Sequence, residues 1–259
     1  MTMSRLEINI GKRIPLCTGG SSKGCQNKYC IAGYWYKQDS VGYESLAEVL
    51  ASRAAAITNA ITPIVSYDLI TLCRSSRIKF PGCRSKSFLH EDDTEITLRR
   101  LVEKIMHHRM EKDGINLAVS ILNSVNDQRL LDQLSCLFQL DRITINSDRH
   151  LNNIVLRNLK DIISFDYGDS LAADVTYEFT EDLSAEECIA KAVAKPSFRT
   201  HDYQCEFMKS YSNFKLEAVS SCLQISDLVD STDESILKRM CSILSIQFEK
   251  YLNTKLIFI

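Results

Sequence analysis

The segment that decides the fold is Asn146-Ser147-Asp148-Arg149-His150-Leu151-Asn152-Asn153, with Asp166-Tyr167-Gly168 opening thirteen residues after Asn153. Between them runs Asp161-Ile162-Ile163-Ser164-Phe165, an apolar stretch that reads as a short buried strand. Asn, Asp and Gly are plain turn formers, so a chemical role rests on order and spacing. Phosphoryl transfer needs one carboxylate beside the attacking hydroxyl, to orient it and take its proton. It also needs an amide oxygen and a second carboxylate to hold Mg²⁺ against phosphates. Asp148 and Asn153 stand five apart, and Asp166 follows an apolar strand, which meets both requirements.

Protein kinases place their catalytic Asp five residues before a metal-binding Asn, and a metal-binding Asp at the head of a D-F-G turn. By that pattern Asp148 is the candidate base, and Asn153 and Asp166 the candidate metal ligands. Such a site also needs a strand Lys for the phosphates and a helical Glu to hold it. Lys37 ends the run Tyr34-Trp35-Tyr36, and the helix expected over Tyr43–Ala56 offers Glu44 and Glu48, four apart on one face. Either can pair with Lys37; Glu48, deeper in the helix, is favoured. A flexible phosphate-binding loop should precede this strand, and Gly19-Gly20-Ser21-Ser22-Lys23-Gly24 occupies that place. Glycines there let backbone amides approach phosphate oxygens, and Lys28 adds charge. It is not a Walker A loop, because no Lys-Ser/Thr follows Gly24. His150 has three open roles: orienting Asp148, contacting a phosphate, or packing under the loop.

Composition narrows the class. The 259 residues are 45% apolar and 25% charged, enough for a sizeable core without staples. Nine Gly and four Pro exclude collagen-like and Pro-rich linker classes, and a net charge of −2 argues against direct nucleic-acid binding. No segment is apolar for the roughly 18 residues of a spanning helix, so no membrane partner is expected. The N-terminus carries charge where a signal peptide has its apolar core, and a cytoplasmic location is expected. Ten cysteines are scattered without a C-x-x-C pair, which fits free thiols in a reducing compartment.

The pattern along the chain is strand-rich first and helical later. Tyr29–Lys37 reads as a strand with a turn, Ile61–Leu72 as a strand interrupted by Pro63, and Arg74–Asp93 as a loop. From Thr97 apolar residues recur at helical spacing, notably Leu98, Leu101 and Ile105, then Leu130, Leu131, Leu134, Leu137 and Phe138. His107-His108 falls in a mixed-charge helix over Leu101–Lys112 and reads as a solvated face. Ser184 onward is helical in pattern. The expected class is α+β, a bilobal protein-kinase-like fold with a strand-rich N-lobe over residues 1–92 and a helical C-lobe over residues 93–259.

At three segments the chain resembles the HipA-like kinase family. These are Ser21-x-x-Gly24-x-Gln26-x-Lys28; Lys37 followed by Gly42-Tyr43-Glu44-Ser45-Leu46-Ala47-Glu48; and Asn146-x-Asp148-x-His150-x-x-Asn153 with Asp166. Weaker likeness runs through Gly82-Cys83-Arg84-Ser85 and Lys195-Pro196-Ser197-Phe198. The resemblance implies an ATP- and Mg²⁺-dependent Ser/Thr protein kinase acting on a protein substrate, plausibly the toxin of a toxin–antitoxin pair. It implies Asp148 as base, Asn153 and Asp166 as metal ligands, and Lys37 on the phosphates. It also implies autophosphorylation at Ser21, or at its neighbour Ser22, shutting the enzyme down. HipA-type toxins carry an extra N-terminal subdomain ahead of the phosphate loop. Here the loop falls within about 20 residues of Met1, so that subdomain is expected to be missing or supplied by another chain; the family's other implied partner is an antitoxin, which this departure disfavours. Asp148-Arg149-His150-x-x-Asn153 also matches the phosphoinositide-kinase form of the loop. A pseudokinase, and a kinase-fold enzyme acting on a lipid or small molecule, remain alternative readings.

Overall fold

In a computed structural model of the chain the described residues are 5–16, 26–40, 43–57, 62–110, 114–124, 127–174, 183–194, 228 and 234–256. The strand-rich part begins with β1 (Leu6–Asn9), then the hairpin β2 (Lys28–Ile31) and β3 (Tyr34–Gln38). Ala32 and Gly33 join the hairpin with φ of 50° and 78°. A tight two-residue turn needs positive φ at both positions, and glycine supplies one without a steric penalty. Helix α1 (Glu44–Ile57) follows, then β4 (Asp68–Cys73) and β5 (Lys79–Lys86). The five strands form one sheet in the order β1-β4-β5-β3-β2, with only the β1–β4 pair parallel.

Strand β5 corrects the loop expected over Arg74–Asp93. Pro81 and Gly82 read as turn formers and Lys79, Arg84 and Lys86 hide the alternation, yet the strand is central, paired with β3 and β4. Gly82 is required there: a Cβ at that position would stand 2.4 Å from the Lys37 carbonyl oxygen. The expected strand over Ile61–Leu72 is also corrected, since β4 starts only at Asp68. Residues 62–67 instead tie the sheet to the helical lobe. Val65 N–H donates to the Ser164 carbonyl at 3.0 Å, Ser164 N–H donates to the Pro63 carbonyl at 2.8 Å, and Thr62 Oγ1 donates to the Gln133 carbonyl at 2.9 Å.

The second lobe starts at β6 (Glu95–Thr97) and α2 (Leu98–Met106), continues through α3 (Ile115–Ser124) and α4 (Gln128–Thr144), and returns as β7 (Ile154–Arg157) and β8 (Asp161–Ser164). These three strands form a small antiparallel sheet in the order β6-β7-β8. Helices α5 (Ala185–Ala194) and α6 (Glu234–Leu256) close the described part. Thr97 caps α2 by accepting the Arg100 N–H at 3.2 Å, and Asp127 caps α4 by accepting that of Leu130 at 3.2 Å. Helix α2 ends at Met106, where His107 turns left-handed; it does not run through His107-His108 to Lys112 as the sequence suggests.

The largest core is shared by both lobes. Leu46, Val49, Leu50 and Ala54 of α1 pack with Leu140 and Ile143 of α4, Ile163, Tyr167, and Met240, Ile243 and Leu244 of α6. A second core joins α2, α3, α4 and β7, and a small third cluster lies on the five-stranded sheet. The described cysteines 30, 73, 83, 136, 188 and 241 are free thiols. No helix among the described residues is long and apolar enough to cross a membrane. The architecture is α+β and bilobal.

Candidate active site

Helix α1 is almost wholly buried, glutamates included. A buried carboxylate needs a partner, and each finds a different one. Glu44 accepts from Ser40, from the backbone N–H at 2.6 Å and from Oγ at 2.7 Å. Glu48 forms a buried ion pair with Lys37 through Oε1 and accepts the Tyr167 N–H at 2.8 Å through Oε2. The helical register explains the split. Glu44 is the first residue of α1 and faces the loop before it, whereas Glu48 lies one turn further in, opposite β3.

Lys37 also reaches Asp166, with Nζ 2.7 Å from Oδ1. Lys28, paired with Lys37 across the hairpin, lies 3.7 Å from Asp166 Oδ2. Each oxygen of Asp166 thus faces a lysine. Tyr67 completes the cluster: its hydroxyl accepts the Asp166 N–H at 3.4 Å and its ring lies 5.2 Å under Lys37 Nζ. The charges are strongly perturbed. Burial opposes the charge on Lys37, but Asp166 and Glu48 hold its pKa well above the ordinary value. Burial pushes the Glu48 carboxyl up, against the pull of Lys37. Burial acts the same way on Asp166, but Lys37, Lys28 and Arg149 override it and hold that carboxyl far below the usual range. The same desolvation drives the phenol of Tyr67 and the thiol of Cys83 upward.

The loop bearing Asp148 is built on a buried ion pair that sequence reading missed. Arg149, 1% exposed, donates to Asp141 of α4 through Nε at 2.8 Å and through a terminal nitrogen at 3.0 Å. Its other terminal nitrogen donates to the carbonyls of Asn153 at 2.9 Å and Phe165 at 2.6 Å. One guanidinium therefore fastens the Asp148–Asn153 loop to the turn that opens with Asp166. The signal was present: Asp141 lies seven residues after Leu134 and four after Leu137, on the apolar stripe of α4, where a charge calls for a buried partner. Asn146 adds a second tie, with Nδ2 donating to Asp141 Oδ1 at 3.0 Å and to the Asp166 carbonyl at 3.5 Å.

Within the loop Asp148 N–H donates to Asn146 Oδ1 at 3.1 Å, and Asn153 Nδ2 donates to the Asp148 carbonyl at 3.2 Å. The Asp148 side chain is 32% exposed, accessible to an incoming hydroxyl. His150 Nε2 stands 3.8 Å from Asp148 Oδ2, too long for a hydrogen bond, and its buried Nδ1 has no hydrogen-bond partner among the described residues. Asp166 adopts φ of 62°, and Gly168 lies beside Glu44, Glu48 and Gln26.

The structure therefore brings Lys28, Lys37, Glu48 and Asp166 into one cluster and links it through Arg149 and Asn146 to the loop of Asp148, His150 and Asn153. Glu44 is adjacent but turned to Ser40. Gly19, Gly20, Ser21, Ser22 and Gly24 lie outside the described residues, as does Lys195-Pro196-Ser197-Phe198. The residues suit a nucleotide phosphate chain with a hard cation. Two lysines stand beside Asp166, and the buried Gln26 Nε2 next to Gly168 is a donor without an acceptor among the described residues. The cation donors are an amide and a carboxylate oxygen, the type Mg²⁺ prefers when phosphates complete its shell.

The two-lobed fold is that of HipA-like kinases. Among solved structures the chain is similar to the Helicobacter pylori proinflammatory kinase CtkA, with a TM-score of 0.63 and 12% identity over 95% of each chain. It is also similar to HipA of Shewanella oneidensis MR-1, solved with HipB and its operator DNA, with a TM-score of 0.52 and 12% identity over 93% of this chain and 66% of that one. No protein-family model and no curated protein matches the sequence.

Proposed function

We propose that the chain is an ATP- and Mg²⁺-dependent phosphotransferase of the Ser/Thr protein-kinase type, with residues 1–92 forming the nucleotide-side lobe and 93–259 the substrate-side lobe. The observation that carries this reading is the Lys37–Glu48–Asp166 cluster, fastened by Arg149 to the loop of Asp148 and Asn153. Asp148 orients the acceptor hydroxyl and takes its proton as the oxygen attacks the γ-phosphorus and the bond to the β,γ-bridging oxygen breaks, releasing ADP. Lys37 and Lys28 carry positive charge to the phosphates, and Glu48 fixes the Lys37 ammonium. Asn153 and Asp166 would hold Mg²⁺, which when bound would neutralise charge on the phosphates. His150 lies in the same loop, its Nε2 3.8 Å from Asp148 Oδ2.

Further parts of this reading rest on the resemblance in sequence. Ser21 or Ser22 is the site of self-phosphorylation, where a dianion would repel the phosphates of ATP. A partner protein, an antitoxin or a chain bearing the N-terminal subdomain of HipA-type toxins, restrains the activity, which operates on a protein substrate in the cytoplasm. Free thiols throughout the described part suit that compartment.

Thermal unfolding with and without Mg-ATP tests the nucleotide site. A ligand at about 100 times its Kd adds roughly 2.7 kcal/mol of stability, a shift of several degrees in Tm for a chain of this size. Lys37→Ala and Asp166→Asn should lose the Mg²⁺-dependent shift, while Asp148→Ala should keep it. Parent protein with no shift at saturating Mg-ATP would contradict the reading.

A further inference from the structure

A recess of about 310 Å³ lies at the C-terminal end of α2, lined by Arg100, Glu103, Lys104, His107, His108 and Arg109. It forms because the helix stops: His107 takes φ of 58° and brings the following residues back beside the last turns. None of its six residues belongs to the candidate active site.

The charge balance of this recess is unusual. Arg100 sits in the first turn of α2, where the helix dipole disfavours a cation. Arg100 and Lys104 are like charges four residues apart, a pairing that destabilises a helix. Among the described residues the one carboxylate lining the recess, Glu103, does not offset them. Glu103 Oε1 accepts the Met110 N–H at 3.1 Å and Arg99 Nε at 3.1 Å. Arg99 is itself anchored to the Met110 carbonyl at 2.5 Å. Among the described residues the side chains of Arg100, Lys104 and Arg109 make no hydrogen bond or ion pair, and Arg109 feels Glu103 only at longer range. Two guanidiniums, an ammonium and the His107 imidazole therefore line one recess, while the His108 imidazole is tied through Nδ1 to the Met106 carbonyl at 3.1 Å.

That set matches a compact dianion with several acceptor oxygens. Guanidinium forks bind phosphate bidentately, and Arg clusters are the usual readers of phosphorylated side chains. The volume is near the low end of ligand pockets, about 300 Å³, which holds one phosphoryl group on a side chain. An extended nucleic-acid backbone would need a basic stripe, and the chain as a whole is weakly acidic, at −2. Ile105, 47% exposed on the same turn, offers apolar surface to a polypeptide that free phosphate would not use. We propose that this recess docks a phosphoserine or phosphothreonine carried on a partner polypeptide.

The test is fluorescence anisotropy on the full chain with three probes. These are a labelled Gly/Ala peptide bearing one phosphoserine, its unphosphorylated twin, and a single-stranded oligonucleotide. The phosphopeptide should bind at least about tenfold more tightly than its twin, as expected for charge-assisted hydrogen bonds. The Arg100→Gln/Arg109→Gln variant should lose that advantage with Tm unchanged, as should Lys104→Gln in part, while Asp148→Ala should retain it. Retention in Asp148→Ala separates docking from product binding at the active site. Equal binding of the two peptides overturns the proposal, as does undiminished binding by the double variant. So does displacement of the phosphopeptide by inorganic phosphate at equal concentration, or by the oligonucleotide at lower concentration.

Discussion

Arg149 carries four hydrogen bonds from a side chain with almost no exposure. Burial would lower its pKa, but Asp141 raises it, so the guanidinium stays charged. Removing one partner of such a pair leaves an uncompensated buried charge and costs about 3–5 kcal/mol. Arg149→Met should therefore destabilise the protein by about that amount in chemical denaturation. Asp141→Leu/Arg149→Met removes both charges and should recover much of the loss. It should not recover phosphotransfer, because the carbonyls of Asn153 and Phe165 lose their shared donor and the two loops lose their register. A double variant with parental activity would reduce Arg149 to a purely structural role. Lys37 belongs to the same scale: Lys37→Ala should lower nucleotide affinity and, by stranding buried Glu48, lower stability as well.

At the scale of elements, the register of β3 against β5 decides where Lys37 points. Gly82 lets the strands approach, since a methyl group there would stand 2.4 Å from the Lys37 carbonyl oxygen. Gly82→Ala should cost about 1–3 kcal/mol, the usual range for overpacking. It should also weaken ATP binding, because the strand carrying Lys37 is the one displaced; a parental Kd for ATP would separate β5 from the site. The start of α1 is a second control point. Asp39 Oδ1 accepts the Ser45 N–H at 2.9 Å, and burial, with Glu44 adding repulsion, raises its carboxyl to about 6 against the Ser45 bonds and Arg5. A raised folded pKa means that the native state holds a proton which the unfolded chain releases. Its stabilisation is complete below the unfolded pKa near 3.9 and is lost as pH rises through about 6. Asp39→Asn keeps the acceptor oxygen, so it should flatten this part of the Tm–pH profile and raise stability at neutral pH. An unchanged slope between these limits would show that Asp39 is not the titrating group.

These elements also show how far the sequence could be read. The loop from Asn146 to Asn153 and the turn at Asp166 were legible because their pattern is local: five residues between Asp148 and Asn153, then an apolar strand. The choice of Glu48 over Glu44 followed from depth in a helix whose start was readable. Strand β5 was not legible, because its place is fixed by neighbours on both sides while Pro81, Gly82 and three cations mask its period. Strands β6 and β7, of three and four residues, are too short for periodicity to register. The spacing of Asp141 on the apolar stripe of α4 signals a buried partner, but its choice of Arg149 depends on packing between α4 and a loop eight residues onward.

For the whole molecule, the site exists because two lobes meet. Residues 62–67 stitch the five-stranded sheet to β8, and α1 packs in one core with α4 and α6. Lys28, Lys37 and Glu48 come from one side of that junction and Asp148, Asn153 and Asp166 from the other. The arrangement explains why Glu48 binds both Lys37 and the backbone of Tyr167: one side chain spans the junction and senses both lobes. The most direct measurement is incubation of the purified protein with Mg-ATP and a Ser/Thr-rich protein acceptor, read by intact-mass and peptide mass spectrometry, with Asp148→Ala alongside. A phosphoryl-sized mass gain on the acceptor or on Ser21 or Ser22, reduced by about 10²–10⁴-fold in Asp148→Ala as for loss of a general base, is the predicted result. Absence of any gain, a nucleotide-sized gain, or a gain undiminished in Asp148→Ala would contradict it.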